Sequence, residues 1–210
     1  MDGVLVDSEP FHQKVLENVF FELKLPFSES YHHTLTGMAN NPMWDKIITD
    51  FNLNNSRDFY AGLHLENVYK TLETAQVPET KGIFSLINRL NDSGFRLSVA
   101  SSSPKKLIEI FIGRMGLAAV FDFLVSGEEV ANSKPFPDIF LKVAKNYQLE
   151  TSRFLVIEDS KNGVHAAKAA GMKCVGYFNP NSGNQDLSKA DLVIDDFGIL
   201  SAEIIHNLLA

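Results

Sequence analysis

Five side chains carry the chemistry this chain can be asked to do: Asp2, Ser101, Lys134, Glu158 and Asp159. Glu158 and Asp159 follow the apolar run Phe154-Leu155-Val156-Ile157. Adjacent carboxylates on a loop are unfavourable unless a cation neutralises them, and Mg2+ takes such oxygens together with phosphate. Lys134, in Ser133-Lys134-Pro135-Phe136-Pro137, offers a positive charge to phosphoryl oxygens. Ser101 and Ser102 follow Val99-Ala100 and precede a helical pattern, so they supply hydroxyls and oriented backbone N–H donors. Phosphoryl transfer asks mainly for positioning and charge neutralisation, which this set offers. It also asks for an attacking atom. The opening Met1-Asp2-Gly3-Val4-Leu5-Val6-Asp7 reads as a catalytic motif entered partway, with an apolar strand and one more acidic residue expected ahead of Met1.

These residues need a frame. From 81 onward the texture alternates: apolar runs at 95–100, 123–125, 154–157, 173–177 and 192–194 read as strands. Helical patterns at 104–115, 137–147 and 161–170 lie between them. Such alternation predicts a parallel sheet covered on both faces, and ligands of an open parallel sheet bind beyond the carboxyl ends of its strands. Ser101, Glu158 and Asp159 fall at such ends, and Lys134 follows the 123–125 strand by a loop. The stretch from Pro10 to Glu79 is different. Phe11, Val15, Leu16, Val19 and Phe20 are spaced to share one helix face, further helical patterns cover 42–50 and 56–75, and no strand is legible. The chain therefore divides into an α/β core, 1–9 with 80–210, and a helical insert, 10–79.

Bulk properties narrow the partners. The 210 residues carry a formal charge of -7 with 45% hydrophobic content, which argues against nucleic acid or an anionic membrane as the main partner. The lone Cys174 excludes an internal disulfide and a cysteine zinc site, and its apolar setting predicts a buried strand residue. No basic-then-apolar leader and no membrane-spanning run is present, so a reducing cytoplasm is expected.

Plainer readings stand beside these. Ser103 before Pro104 reads as a helix N-cap, which leaves Ser101 for phosphate and Ser102 ambiguous. Asp159 or Ser160 suits the cap of the helix that follows, a role compatible with metal binding. A lone Lys134 is ordinarily a solvated lysine, yet Pro135 and Pro137 restrain its backbone. His12 is equally a structural residue or a substrate contact; His32, His33, His64, His165 and His206 are expected on the surface or in packing. Asp7 and Glu9 are expected to shape the turn into the insert, and Phe20-Phe21 and 121–123 to fill the core.

Together, Met1-Asp2-Gly3-Val4, Ser101, Lys134-Pro135 and Glu158-Asp159 resemble, in order and separation, the motifs of haloacid dehalogenase-like (HAD) hydrolases. The resemblance runs from the first residue to about Gly171, and is to the subgroup of β-phosphoglucomutase and small sugar-phosphate phosphatases. It implies a Rossmann-like parallel sheet with a small helical cap after the first motif, whose first core strand is not among these 210 residues. It also implies a nucleophilic Asp two positions before Asp2 that forms an aspartyl phosphate, with Asp2 as acid and then base. Mg2+ falls to that Asp, the Asp2 carbonyl, Asp159 and Glu158, while Ser101, Ser102 and Lys134 hold phosphate and His12 faces the site from the cap. Without the first Asp, the 210-residue chain is expected to be inactive. The implied substrate is a small phosphorylated metabolite, and the implied state a monomer.

Two rivals accompany the phosphatase reading. Mutases of the subgroup carry an Arg after a Gly in the cap; Leu35-Thr36-Gly37-Met38-Ala39-Asn40 offers Asn40 instead, and no lysine lies within 61–66. A neutral amide cannot clamp a second phosphate as a guanidinium does, which disfavours a sugar phosphomutase. The other rival is a non-catalytic HAD-like binding module.

Overall fold

The computed structural model describes residues 1–36, 38 and 40–210, and the chain forms two compact units. One comprises Ser8–Pro78; the other joins Met1–Asp7 to Glu79–Ala210.

The first unit holds helices α1 (Glu9–Glu22), α2 (Glu29–His33), α3 (Asn40–Asp50) and α4 (Arg57–Thr74). Pro10 sits in the first turn of α1, where its missing N–H costs nothing, and the helix buries Phe11, Val15, Leu16, Val19 and Phe20. That is the stripe expected from spacing. The neighbouring Phe21 is 85% exposed, contrary to the expected place in the core. One residue of helix rotates a side chain by about 100°, which carries Phe21 off the stripe. Ser28 and Ser56 cap α2 and α4 by accepting from the backbone N–H of Tyr31 and Phe59. Leu16, Phe20, Trp44, Ile47 and Tyr60 form the core, with the rings of Trp44 and Tyr60 stacked at 5.6 Å.

The second unit contributes α5 (Ile83–Asp92), β1 (Leu97–Ser101), α6 (Lys105–Arg114), β2 (Phe121–Ser126) and α7 (Asp138–Tyr147). It continues with β3 (Leu155–Glu158), α8 (Lys161–Ala169), β4 (Lys173–Tyr177), β5 (Leu192–Ile194) and α9 (Ala202–Leu209). The expected strands are all present and parallel. They fall into two hydrogen-bonded groups, β1-β2 and β3-β4-β5. A cavity of about 650 Å³ lies along residues 97–100 and 154–158.

Helices α5 and α9 extend the expected set. In α5, Ile83, Leu86, Ile87 and Leu90 are buried at helical spacing. Ile139, Phe140 and Val143 of α7 pack with Val164 and Ala167 of α8 and Cys174 of β4. Burial pushes the Cys174 thiol up to about 12, so it is an inert core residue, as expected. Gly171, at φ 73, ends α8 just past Ala170. No helix among the described residues is long and apolar enough to cross a membrane.

His64 gives the helical unit a titratable core. Its ring lies edge-on to Trp44 at 5.9 Å, and its Nδ1 is buried with no hydrogen-bond partner among the described residues. Burial, aided by His12, lowers its pKa from 6.5 to about 4. The unfolded chain therefore takes up this proton first as pH falls, and stability fully present above 6.5 is lost on the way to about 4. The loss attributable to His64 is about 3 kcal/mol at most. Urea titrations at about pH 7.5 and about pH 4.5 should show His64→Phe losing markedly less stability than the parent chain; equal losses would exclude a buried neutral imidazole.

Candidate active site

The site is built where strands end. β1 ends on Ser101, β3 on Glu158 and β4 on Tyr177, and the opening turn brings Asp2 and Gly3 to the same place. That turn is held by Val4, Leu5 and Val6 donating to the Met1 carbonyl and by Gly3 N–H donating to Val6. The side chains close a ring. Ser101 Oγ donates to Asp2 Oδ2 at 3.3 Å, the Gly3 Cα faces the Asp159 carboxylate, and Lys134 Nζ lies 2.5 Å from Glu158 Oε1. Lys134 Nζ closes it by donating to the Ala100 carbonyl at 3.3 Å.

Lys134 and Glu158 are both buried, with side chains 9% and 8% exposed. Burial works against ionising Glu158, but the Lys134 ammonium, the Met1 amino group and the Ser160 N–H together hold the carboxyl below its usual range. Glu158 Oε2 accepts from Ser160 N–H at 3.1 Å and Ser160 Oγ at 2.9 Å. Ser160 in turn caps α8 by accepting from Gly163 N–H at 3.0 Å, so the capping alternative falls to Ser160. The Lys134–Pro135 peptide is cis.

Asp159 is held differently. Its Oδ2 accepts from Ser182 Oγ at 2.5 Å, and burial, followed by the charge of Glu158, raises its pKa to about 6. A Cβ at Gly3 would overlap the Asp159 carboxylate, and one at Gly163 would overlap the carboxylate of Glu158. Both glycines let acidic side chains approach the backbone. Asn179 Nδ2 donates to the Gly3 carbonyl at 2.9 Å, and Asn181 Nδ2 donates to Asp7 Oδ2 at 2.7 Å. The loop after β4 thus ties down the opening segment through Asn179 and Asn181.

The structure gathers Asp2, Ser101, Lys134, Glu158 and Asp159 at one rim. Ser102 is exposed, and His12 sits on α1 of the helical unit with its ring against Phe11 at 5.6 Å. One expectation is corrected: α6 is entered at Pro104 with no side-chain cap, and Ser103 donates to Asp2 Oδ2 at 2.8 Å instead. Pro104 removes the backbone N–H at that position, and the Asp2 carboxylate accepts the hydroxyl more strongly than a neutral group would. Sequence reading overlooked Ser103, Ser182 and Asn179 as site residues. The last two lie just past β4, where the strand-end rule applied to 173–177 would have found them.

No group of three or more His, Cys, Asp or Glu side chains poised for a metal occurs among the described residues. Asp2 faces serines, Glu158 faces Lys134 and Asp159 faces Ser182. The donor chemistry nonetheless fits a hard cation. Asp159 is a half-buried carboxylate resisting ionisation beside a second one, against the Asp2-Gly3 backbone, and a divalent ion relieves that conflict with oxygen ligands alone.

Residues 1–177 match the family model of the haloacid dehalogenase-like hydrolases. The chain belongs to that family. Among curated relatives, a phosphorylated carbohydrates phosphatase of Thermotoga maritima is 29% identical over 210 residues, covering 100% of this chain and 95% of its own. The β-phosphoglucomutase of Bacillus subtilis is 27% identical over 219 residues, covering 99% and 92%. Among solved structures, a HAD hydrolase of family IA, variant 3, from Entamoeba histolytica superposes with a TM-score of 0.83 at 24% identity, covering 100% and 96%. This last likeness concerns the fold. In this HAD-family chain, then, the polar ring lies at the carboxyl ends of the strands of a mixed α/β fold.

Two substitutions test the ring. Lys134→Met should cost about 3–5 kcal/mol by leaving Glu158 charged and unpaired, and adding Glu158→Gln should recover at least about half of it; a single-variant loss below about 1 kcal/mol would contradict the buried pair. Gly3→Ala should destabilise by at least about 2 kcal/mol more than Gly116→Ala. Both glycines have positive φ, 69 and 71, but a Cβ at Gly116 meets nothing within 4 Å. Equal effects would mean that Asp159 does not pack on Gly3.

Proposed function

We propose that this chain is the body of a Mg2+-dependent phosphatase acting on a small phosphomonoester such as a sugar phosphate. The observation that carries this is the closed ring, in which one buried ammonium, two serine hydroxyls and three carboxylates share the carboxyl ends of β1 and β3. The phosphorylated carbohydrates phosphatase of T. maritima, similar over the whole chain, supports the substrate class.

In this reading the attacking carboxylate belongs to an Asp two positions before Asp2, on a segment ahead of Met1. It displaces the ester oxygen from phosphorus and becomes an aspartyl phosphate, while Asp2 delivers a proton to the leaving oxygen. Asp2 then takes a proton from water as the water oxygen attacks phosphorus, releasing phosphate and the free Asp. Ser101 and Lys134 hold the transferring group, and Ser103 fixes the Asp2 carboxyl from the side. Asp159, the Asp2 carbonyl and Glu158, directly or through water, would hold Mg2+, which neutralises phosphoryl charge when bound. The helical unit serves as the cap that selects the leaving group, with His12 as a contact residue. Location in the cytoplasm and a monomeric state follow the subgroup.

The β-phosphoglucomutase of B. subtilis, similar over nearly the whole chain, favours a second reading as a sugar phosphomutase. Asn40, where a mutase grip would need a cation, weighs against it. Gly37 and Ala39 of that stretch lie outside the described residues.

A panel of sugar phosphates assayed with and without Mg2+ tests the proposal, on the chain extended upstream by an apolar strand ending in that Asp. Release of phosphate should need Mg2+, and Lys134→Ala or Asp159→Asn should lower kcat/KM by about 100-fold or more. The unextended chain should be silent. Acceleration of hexose 1-phosphate turnover by a bisphosphate would favour the mutase, and no turnover by the extended chain would leave a binding module.

A further inference from the structure

We infer that Ser182 is a positioning residue for the divalent ion: its hydroxyl fixes the Asp159 carboxylate and thereby sets how tightly the ion is held. The inference rests on the Mg2+ reading above and adds to it a residue outside the ligand set.

The two neighbouring carboxylates are not equally held. Glu158 Oε1 meets Lys134, and Glu158 Oε2 accepts from both the N–H and the hydroxyl of Ser160. Asp159 has no such frame. Among the described residues Ser182 is its one side-chain hydrogen-bond donor, at 2.5 Å. Gly3 lets the carboxylate approach but gives it no donor, since the Gly3 N–H goes to the Val6 carbonyl. Without Ser182 the carboxyl group of Asp159 turns more freely about its last side-chain bond, which has broad torsional wells. A small hard cation tolerates little of that freedom, because Mg2+ demands near-ideal octahedral geometry.

The hydroxyl is itself fixed. Ser182 lies on the loop after β4, where its N–H donates to the Asn179 carbonyl at 3.1 Å and its carbonyl accepts from Gln185 Nε2 at 3.0 Å. Gln185 Oε1 in turn accepts from the N–H of Lys161, in the first turn of α8, at 3.1 Å. At the other end of the loop the buried Asn179 donates to the Gly3 carbonyl at 2.9 Å and accepts from the Asn181 N–H at 2.8 Å. The loop is thus pinned to the opening turn and to the helix that follows Asp159. A serine on a loose loop would meet the carboxylate only part of the time; this one leaves it only by breaking those bonds. Outer donors of this kind orient a ligand and are worth about 10–100-fold in metal affinity.

The test uses the 210-residue chain and Mn2+, with free ion counted by electron paramagnetic resonance and no substrate present. The parent should bind one Mn2+ that Mg2+ displaces, and Asp159→Asn should abolish that binding. Ser182→Ala should weaken it by about tenfold or more. Ser182→Thr, which keeps the hydroxyl, should bind as the parent does. So should Ser188→Ala, which lies in the same loop but bonds Asp186. Equal affinity in the parent and Ser182→Ala would overturn the inference, as would a loss shared by Ser182→Thr or Ser188→Ala, and either result leaves the Mg2+ reading standing. No displaceable Mn2+ on the parent, or full retention by Asp159→Asn, would overturn both the inference and the placement of the ion on Asp159. Phosphatase activity enters none of these readouts.

Discussion

The buried contact between Lys134 and Glu158 is the constraint on which the rest of the site depends. Both groups have left water, and such a pair holds only with good geometry and further hydrogen bonds. Here Ser160 supplies two of those bonds to Glu158, and the Ala100 carbonyl takes a third from Lys134. The pair thereby ties the end of β1 to the end of β3, across the line where the strands part into two groups. It also sets the neighbouring charges, because the ionised Glu158 is one reason that Asp159 resists ionisation.

Small residues let this concentration of charge exist. Gly3 and Gly163 present bare backbone to Asp159 and Glu158, and a methyl group at either would occupy carboxylate space. Serines do the complementary work. Ser101 and Ser103 point hydroxyls at Asp2, Ser182 at Asp159 and Ser160 at Glu158, so each acidic group has at least one donor. A rim of acids is thus converted into a set of oriented acceptors with one cation inside, which suits an incoming metal and a phosphoryl group better than any single residue would.

The helical unit follows separate physics. Its stability comes from an aromatic core around Phe20, Trp44 and Tyr60 and from serine caps on short helices. The α/β unit relies on small and β-branched residues such as Val164, Ala167 and Cys174, where helices lie close on parallel strands.

Much of this could be read from residue order alone. Apolar runs bounded by polar ends located every strand to within a few residues, and the spacing of Phe11, Val15, Leu16, Val19 and Phe20 gave the buried stripe of α1. The same periodicity in Ile83, Leu86, Ile87 and Leu90 marks α5. Residue types named the chemistry of Asp2, Ser101, Lys134, Glu158 and Asp159, because charge and hydrogen-bonding capacity belong to the side chain itself. Which donor meets which acceptor belongs to the fold. Ser103 turned from an expected helix cap to Asp2, and Ser182 reached Asp159 across 23 positions of chain. Phe21 went outward beside an inward Phe20. Local sequence determines periodicity and chemical capacity, which act within a few residues; partners distant along the chain are chosen only when packing brings backbones together.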